Sequence, residues 1–229
     1  MTHPTPSGGG GDASARILSL GDSYTIGESV SSDDRWPVVL ASILRAHGTD
    51  VADPQIIART AWTTRDLGAA IDEARPRGPF DLVTLLIGVN DQYRGRSPEE
   101  YRPQFRLVLS RAMTQAGKRP ESVIVISIPD WGVTPYAQGR DRRKIAMEID
   151  AFNAVNHDEA LAAGTHYADI TALSRLAGAN RGLVAADGLH PSAAMYVQWA
   201  HAIFPLAVEI LSHRDTPPPP PPPAAPPQR

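Results

Sequence analysis

Arg16-Ile17-Leu18-Ser19-Leu20-Gly21-Asp22-Ser23-Tyr24-Thr25 is an apolar run that stops on a polar turn. Its first half has the length and composition of a buried strand. Gly21 and Asp22 directly after it mark a strand-end turn. A serine in that turn lies at the carboxyl edge of a sheet, where open α/β folds bind their ligands. A serine hydroxyl is a weak nucleophile until a base takes its proton. Ser23 is therefore a candidate nucleophile if the rest of the chain supplies a base, an orienting acid and oxyanion donors. The competing reading is a serine that caps the following helical turn.

Two later stretches offer the missing groups. Asp187-Gly188-Leu189-His190-Pro191 puts an acid and an imidazole three residues apart, just before a capped helix. His190 reads as a general base that later returns the proton as an acid. The other six histidines (His3, His47, His157, His166, His201 and His213) stand in no such setting. Asp187 reads as the acid that orients His190, or as the Asx-turn residue that Asp-Gly pairs often supply. Gly88-Val89-Asn90-Asp91 follows a second apolar run. Asn90 reads as an oxyanion donor through its side-chain amide, with a plain turn asparagine as the alternative.

The chain between these stretches alternates strand and helix signals. Strands are expected over about 15–20, 55–58, 80–87, 122–128 and 167–170. The run 80–87 is almost continuously apolar, as a parallel strand covered on both faces should be. Helices are expected from Trp36 to His47, after a Thr63 or Thr64 cap, from Ser97-Pro98-Glu99-Glu100, from Arg142 to Ala163, and after Ser192. Pro205 is expected to kink the last of these. Strands alternating with helices imply parallel βαβ units. The expected fold is a flavodoxin-like three-layer α/β/α sandwich, with a five-stranded parallel sheet in the order 2-1-3-4-5.

Gly-Asp-Ser near the N-terminus, Gly-x-Asn-Asp in the middle and Asp-x-x-His near the C-terminus, in that order, resemble the SGNH (GDSL-type) hydrolase superfamily. The resemblance covers roughly residues 16–211 and implies the same fold. It implies a metal-free, cofactor-free serine ester hydrolase with Ser23, Asp187 and His190 as its triad. It also implies an oxyanion hole made of Asn90 and the backbone N–H groups of Ser23 and Ala61. The family has a glycine where this chain has Ala61. Alanine keeps the N–H but disfavours a positive φ, so the third donor depends on the backbone there. Asp22, Tyr24, Asp91, Tyr93 and Trp131 fall near the same edge and are candidate substrate contacts.

Composition narrows the rest. The 229 residues suit one α/β domain with an arm at 1–14 and a tail at 214–229, both expected to be disordered. A net charge of -3 gives no basic field for nucleic acid. There is no cysteine, so disulfides and thiolate chemistry are excluded. No apolar h-region and no run of ~20 apolar residues are evident, so a cytoplasmic protein without an integral membrane segment is expected. The basic cluster Arg140, Arg142, Arg143 and Lys144 reads as a solvated helix start. The expected partner is a small-molecule ester, and transfer of the acyl group to another alcohol is the near alternative. Two other classes are kept. One is a non-catalytic flavodoxin-like binding protein, which a visible absorption spectrum would reveal. The other is an interaction protein whose polyproline tail is a linker or a ligand of SH3- or WW-type grooves.

Overall fold

A computed structural model describes residues 14–214. Apart from Ser14 and Arg214, the arm and tail expected to be disordered lie outside the described residues. Five parallel strands form one sheet in the order β2-β1-β3-β4-β5. They are β1 (Ile17–Gly21), β2 (Gln55–Ala58), β3 (Leu82–Leu86), β4 (Val123–Ile126) and β5 (His166–Ala168). β1 sits between β2 and β3, with Leu20 paired to Ile57 on one side and Leu85 on the other. Every residue of β1, β3 and β4 is buried, which is why these strands read as unbroken apolar runs.

The helices are α1 (Ser23–Ile26), α2 (Trp36–Ala46), α3 (Thr64–Ala74), α4 (Val89–Tyr93), α5 (Pro98–Gln115), α6 (Arg142–Ala163), α7 (Thr171–Arg175) and α8 (Ala193–Ser212). α2 packs on α8, while α3, α5 and α6 pack in series as a second layer. Their starts follow capping chemistry. Thr63 and Asp66 close a capping box on α3, as Ser97 and Glu100 do on α5. Asp141 and Ser192 cap α6 and α8.

One element lies outside the expected helices. Val89–Tyr93 is a helical turn rather than a loop. It starts on Gly88 at φ 129, where a Cβ would run into the Tyr101 hydroxyl. α8 continues through Pro205 to Ser212. Among the described residues it is also the one helix long and apolar enough to cross a membrane. Here Met195, Tyr196, Trp199, Ile203 and Ala207 of its apolar face are buried in the core.

The strand order reverses between β1 and β3, so the chain leaves the middle of the sheet in opposite directions. That arrangement opens a crevice at the carboxyl ends of the strands. Ser23 follows β1, Ala61 follows β2 and Asn90 follows β3 at that edge.

Candidate active site

The turn after β1 is tightly built. A Cβ on Gly21 would strike the Thr25 hydroxyl and would lie 2.6 Å from the Leu86 carbonyl oxygen, so only glycine fits. Asp22, not Ser23, caps α1, accepting the Tyr24 N–H at 3.0 Å. Ser23 is the first residue of that turn, and its N–H has no intrahelical acceptor. The Ser23 side chain is 6% exposed and lines a cavity of about 220 Å³. His190, Asn90 and Ala61 line the same cavity. Among the described residues the Ser23 hydroxyl makes no hydrogen bond, and contacts of this kind often tighten only when substrate binds.

Asp187 and His190 are bonded to each other. His190 Nδ1 lies 2.6 Å from Asp187 Oδ2. Asp187 Oδ1 accepts the N–H groups of Leu189 at 2.9 Å and His190 at 3.0 Å. The turn reading and the acid–imidazole reading of Asp187 therefore coexist, because the turn aims the carboxylate. Ser29 completes the set by donating its hydroxyl to Asp187 Oδ2 at 2.6 Å. Partial burial pushes the Asp187 carboxyl up, but the bonds from Ser29, His190 and the two N–H groups hold it well below the usual carboxylate range. An ionised Asp187 only accepts, so Nδ1 carries the ring hydrogen and Nε2 keeps a free lone pair. The ring packs against Tyr24 at 5.4 Å. The Tyr136 N–H donates to the Gly188 carbonyl at 2.9 Å and pins the loop.

The Ala61 backbone is left-handed, with φ 65. The chain thus keeps the conformation that favours glycine while carrying a side chain there. Three contacts hold it. Arg94 donates to the Ala61 carbonyl at 2.8 Å, and the Asn90 amide donates to the Trp62 carbonyl at 3.0 Å. Asp91 accepts the Thr64 N–H at 2.8 Å. Asn90 keeps one amide hydrogen for the cavity. A left-handed alanine costs about 1–2 kcal/mol. Glycine removes that cost but loses about 0.5–1 kcal/mol in chain entropy. Ala61→Gly is therefore expected to raise Tm by up to about 4 °C in a thermal melt. A lower Tm would show that the backbone there is unstrained.

Tyr24, Tyr93 and Trp131 line the cavity, together with Tyr136, Thr60, Val89 and Leu189. Two expected contacts are absent from it. Asp22 is fully buried beneath the turn. Burial, with the nearby Asp91, pushes its carboxyl up to about 7 against the Tyr24 N–H bond. Asp91 is buried too, tied to Thr64 and to Arg96 at 3.5 Å. Both acids point into the fold and brace the edge. Trp131 is tied to α4, its indole N–H donating to Gln92 at 2.9 Å. Asp130 beside it accepts from Arg175 at 2.9 Å and donates its N–H to the Ser174 hydroxyl oxygen at 2.9 Å. Arg140, of the basic cluster expected at a solvated helix start, is exposed just before α6 and lies over the aromatic wall. Among the described residues no group of three or more His, Asp or Glu side chains is arranged to hold a metal ion.

A serine turn after β1, an Asp–His turn before α8 and an asparagine after β3 meet at one cavity. The sequence profile of the GDSL-like lipase/acylhydrolase family matches residues 19–198, and the chain belongs to that family. An arylesterase of Vibrio mimicus is 34% identical over 92 residues, which is 38% of this chain and 43% of that protein. The match thus spans less than half of that relative. Among solved structures, TesA superimposes with a TM-score of 0.67 at 21% identity, covering 85% of this chain and 99% of its own. The psychrotrophic esterase EstA of Pseudoalteromonas sp. gives 0.66 at 14% identity, covering 86% and 98%. Axe2, an acetyl-xylooligosaccharide esterase of Geobacillus, gives 0.65 at 19% identity, covering 84% and 94%. These three share the fold.

Proposed function

We propose that the chain is a serine-dependent carboxylic ester hydrolase that works through an acyl-enzyme. The observation that carries this reading is the Asp187–His190 pair, 2.6 Å apart, whose imidazole lines the same cavity as Ser23 and Asn90. Family membership and the arylesterase relative support ester hydrolysis as the reaction class. In the proposed sequence His190 Nε2 takes the proton from Ser23 as Oγ bonds to the acyl carbon. The carbonyl electrons move to oxygen, and the Asn90 amide with the N–H groups of Ser23 and Ala61 receives the oxyanion. The bond to the leaving alcohol then breaks, and the imidazolium gives that alcohol its proton. Water repeats the sequence on the acyl-enzyme, His190 taking its proton and returning it to Ser23. Such preorganised donors act where charge develops and cost no reorganisation at that moment.

The cavity is small beside the ~300–1,000 Å³ of typical ligand pockets. A short acyl or single aryl group fits it better than a long chain. A panel of 4-nitrophenyl esters tests the reading. Acetyl and butyryl esters should turn over faster than octanoyl or longer ones, and Ser23→Ala should turn over none. Equal turnover of all esters by both proteins would contradict it.

Ser29 is a positioning residue in this scheme. Its hydroxyl shares Oδ2 with the imidazole and fixes the carboxylate. Ser29→Ala should cut kcat by about 3–10-fold, in line with the net ~0.5–1.5 kcal/mol of one ordinary hydrogen bond. Ser29→Thr keeps the hydroxyl and should restore most of the lost kcat, with KM little changed in either variant. A loss that Ser29→Thr does not rescue would make Ser29 merely structural.

A further inference from the structure

The cavity mouth carries a cation without an acid. Tyr93 and Tyr136 are 45% and 43% exposed there. Their hydroxyls lie 3.0 Å apart. Trp131 stands behind them, its ring 5.5 Å from Tyr93 and 6.0 Å from Tyr136. The Arg140 guanidinium lies over all three rings, at 5.3 Å from Tyr93 and 5.4 Å from each of Trp131 and Tyr136. It spends one N–H on the Tyr93 oxygen at 3.1 Å.

No carboxylate pairs with it among the described residues. Its neighbour Asp141 is committed to the start of α6, accepting the Lys144 N–H at 3.0 Å. The other acids around the cavity have partners of their own. Glu28 accepts from Thr60, and Asp187 takes Ser29 and His190. The second arginine at this edge, Arg94, is spent on the Ala61 carbonyl and faces Asp66 at 3.9 Å. Of the two arginines, Arg140 is the one that lies over rings and has no ion pair among the described residues. Stacking restricts the side chain while leaving most of its five donors free, and a planar fork of that kind matches carboxylate or phosphate geometry.

We propose that Arg140 determines specificity by recognising an anionic group at the far end of the ester substrate. This rests on the ester-hydrolase reading and narrows it. The aromatic wall of Tyr93, Trp131 and Tyr136 takes the apolar body next to the ester. The Arg140 fork then meets a carboxylate or phosphate where that body reaches solvent. The contact is made in ground state and transition state alike, so it acts on KM more than on kcat. At a partly exposed site it is sensitive to salt.

Paired esters of equal shape test this. On the acyl arm, the mono-4-nitrophenyl ester of glutaric acid is compared with its neutral methyl ester. On the alcohol arm, 4-acetoxybenzoate is compared with methyl 4-acetoxybenzoate. The wild type should prefer the anionic member of at least one pair by about 5–10-fold in kcat/KM, as one charge-assisted contact near a surface allows. Arg140→Gln should remove that preference through KM and leave the neutral ester within about twofold, and ~0.5 M salt should do the same to the wild type. The arm that responds shows which side of the ester the anion occupies. The proposal is overturned if no anionic preference exists. It is equally overturned if Arg140→Gln lowers both members of a pair alike, since Arg140 is then only a clamp on the rings. Wild-type turnover of the neutral esters separates these results from failure of the hydrolase reading, in which no ester would turn over.

Discussion

Ser23→Ala is expected to lower turnover of a short activated ester by about 10,000-fold or more, with an unchanged circular dichroism spectrum. In a serine protease the loss of one triad member removes most of the rate and leaves only what binding and the oxyanion hole supply. The fold should not suffer. Asp22 provides the cap of α1, so the helical turn does not depend on the serine hydroxyl. That hydroxyl makes no hydrogen bond among the described residues, and alanine favours helical backbone. The variant thus separates chemistry from stability. Retention of a tenth or more of the wild-type rate would remove Ser23 from the mechanism.

His190→Ala should be at least as severe as Asp187→Asn, and the order of the two is informative. Without His190 no group on the cavity wall has a free imidazole nitrogen to relay the Ser23 proton. Asp187→Asn keeps one oxygen for the N–H groups of Leu189 and His190, so the turn should survive. It replaces the other oxygen with a donor, or turns the amide so that those N–H groups lose their acceptor. A donor facing Nδ1 favours the wrong imidazole tautomer, the cause of the ~10,000-fold loss in a serine protease. A loss approaching that size is expected here, measured as kcat on one ester with a thermal melt as control. Full activity of Asp187→Asn beside a dead His190→Ala would reduce Asp187 to a turn former. Near wild-type rates for both would end the triad reading.

The frame of the fold was legible because it rests on local chemistry. Apolar runs marked β1, β3 and β4, and capping residues marked the starts of α3, α5 and α8. The candidate triad was legible because its members lie at strand ends or beside one another in sequence. What escaped needs the third dimension. Ser29 meets Asp187 across 158 residues, from a polar loop with no periodicity to single it out. Tyr136 and Arg140 sit in a connection without strand or helix pattern, and only the packing brings them to Tyr93. Asp22 and Asp91 were placed at the right edge but with the wrong aim, since position at a strand end does not say which way a side chain turns. α4 was hidden because Val-Asn-Asp reads as a turn over so few residues. At Ala61 the sequence posed the question of φ, and the positive value comes from contacts with Arg94 and Asn90 that lie about 30 residues further along.

Covalent trapping of the nucleophile tests the central claim most directly. The protein is incubated with a fluorophosphonate and followed by intact mass and peptide mapping. One adduct should form on the peptide containing Ser23, in step with loss of ester turnover. It should be absent from Ser23→Ala and much slower in His190→Ala. An adduct on a different serine, or full ester turnover by a protein already modified at Ser23, would contradict the account.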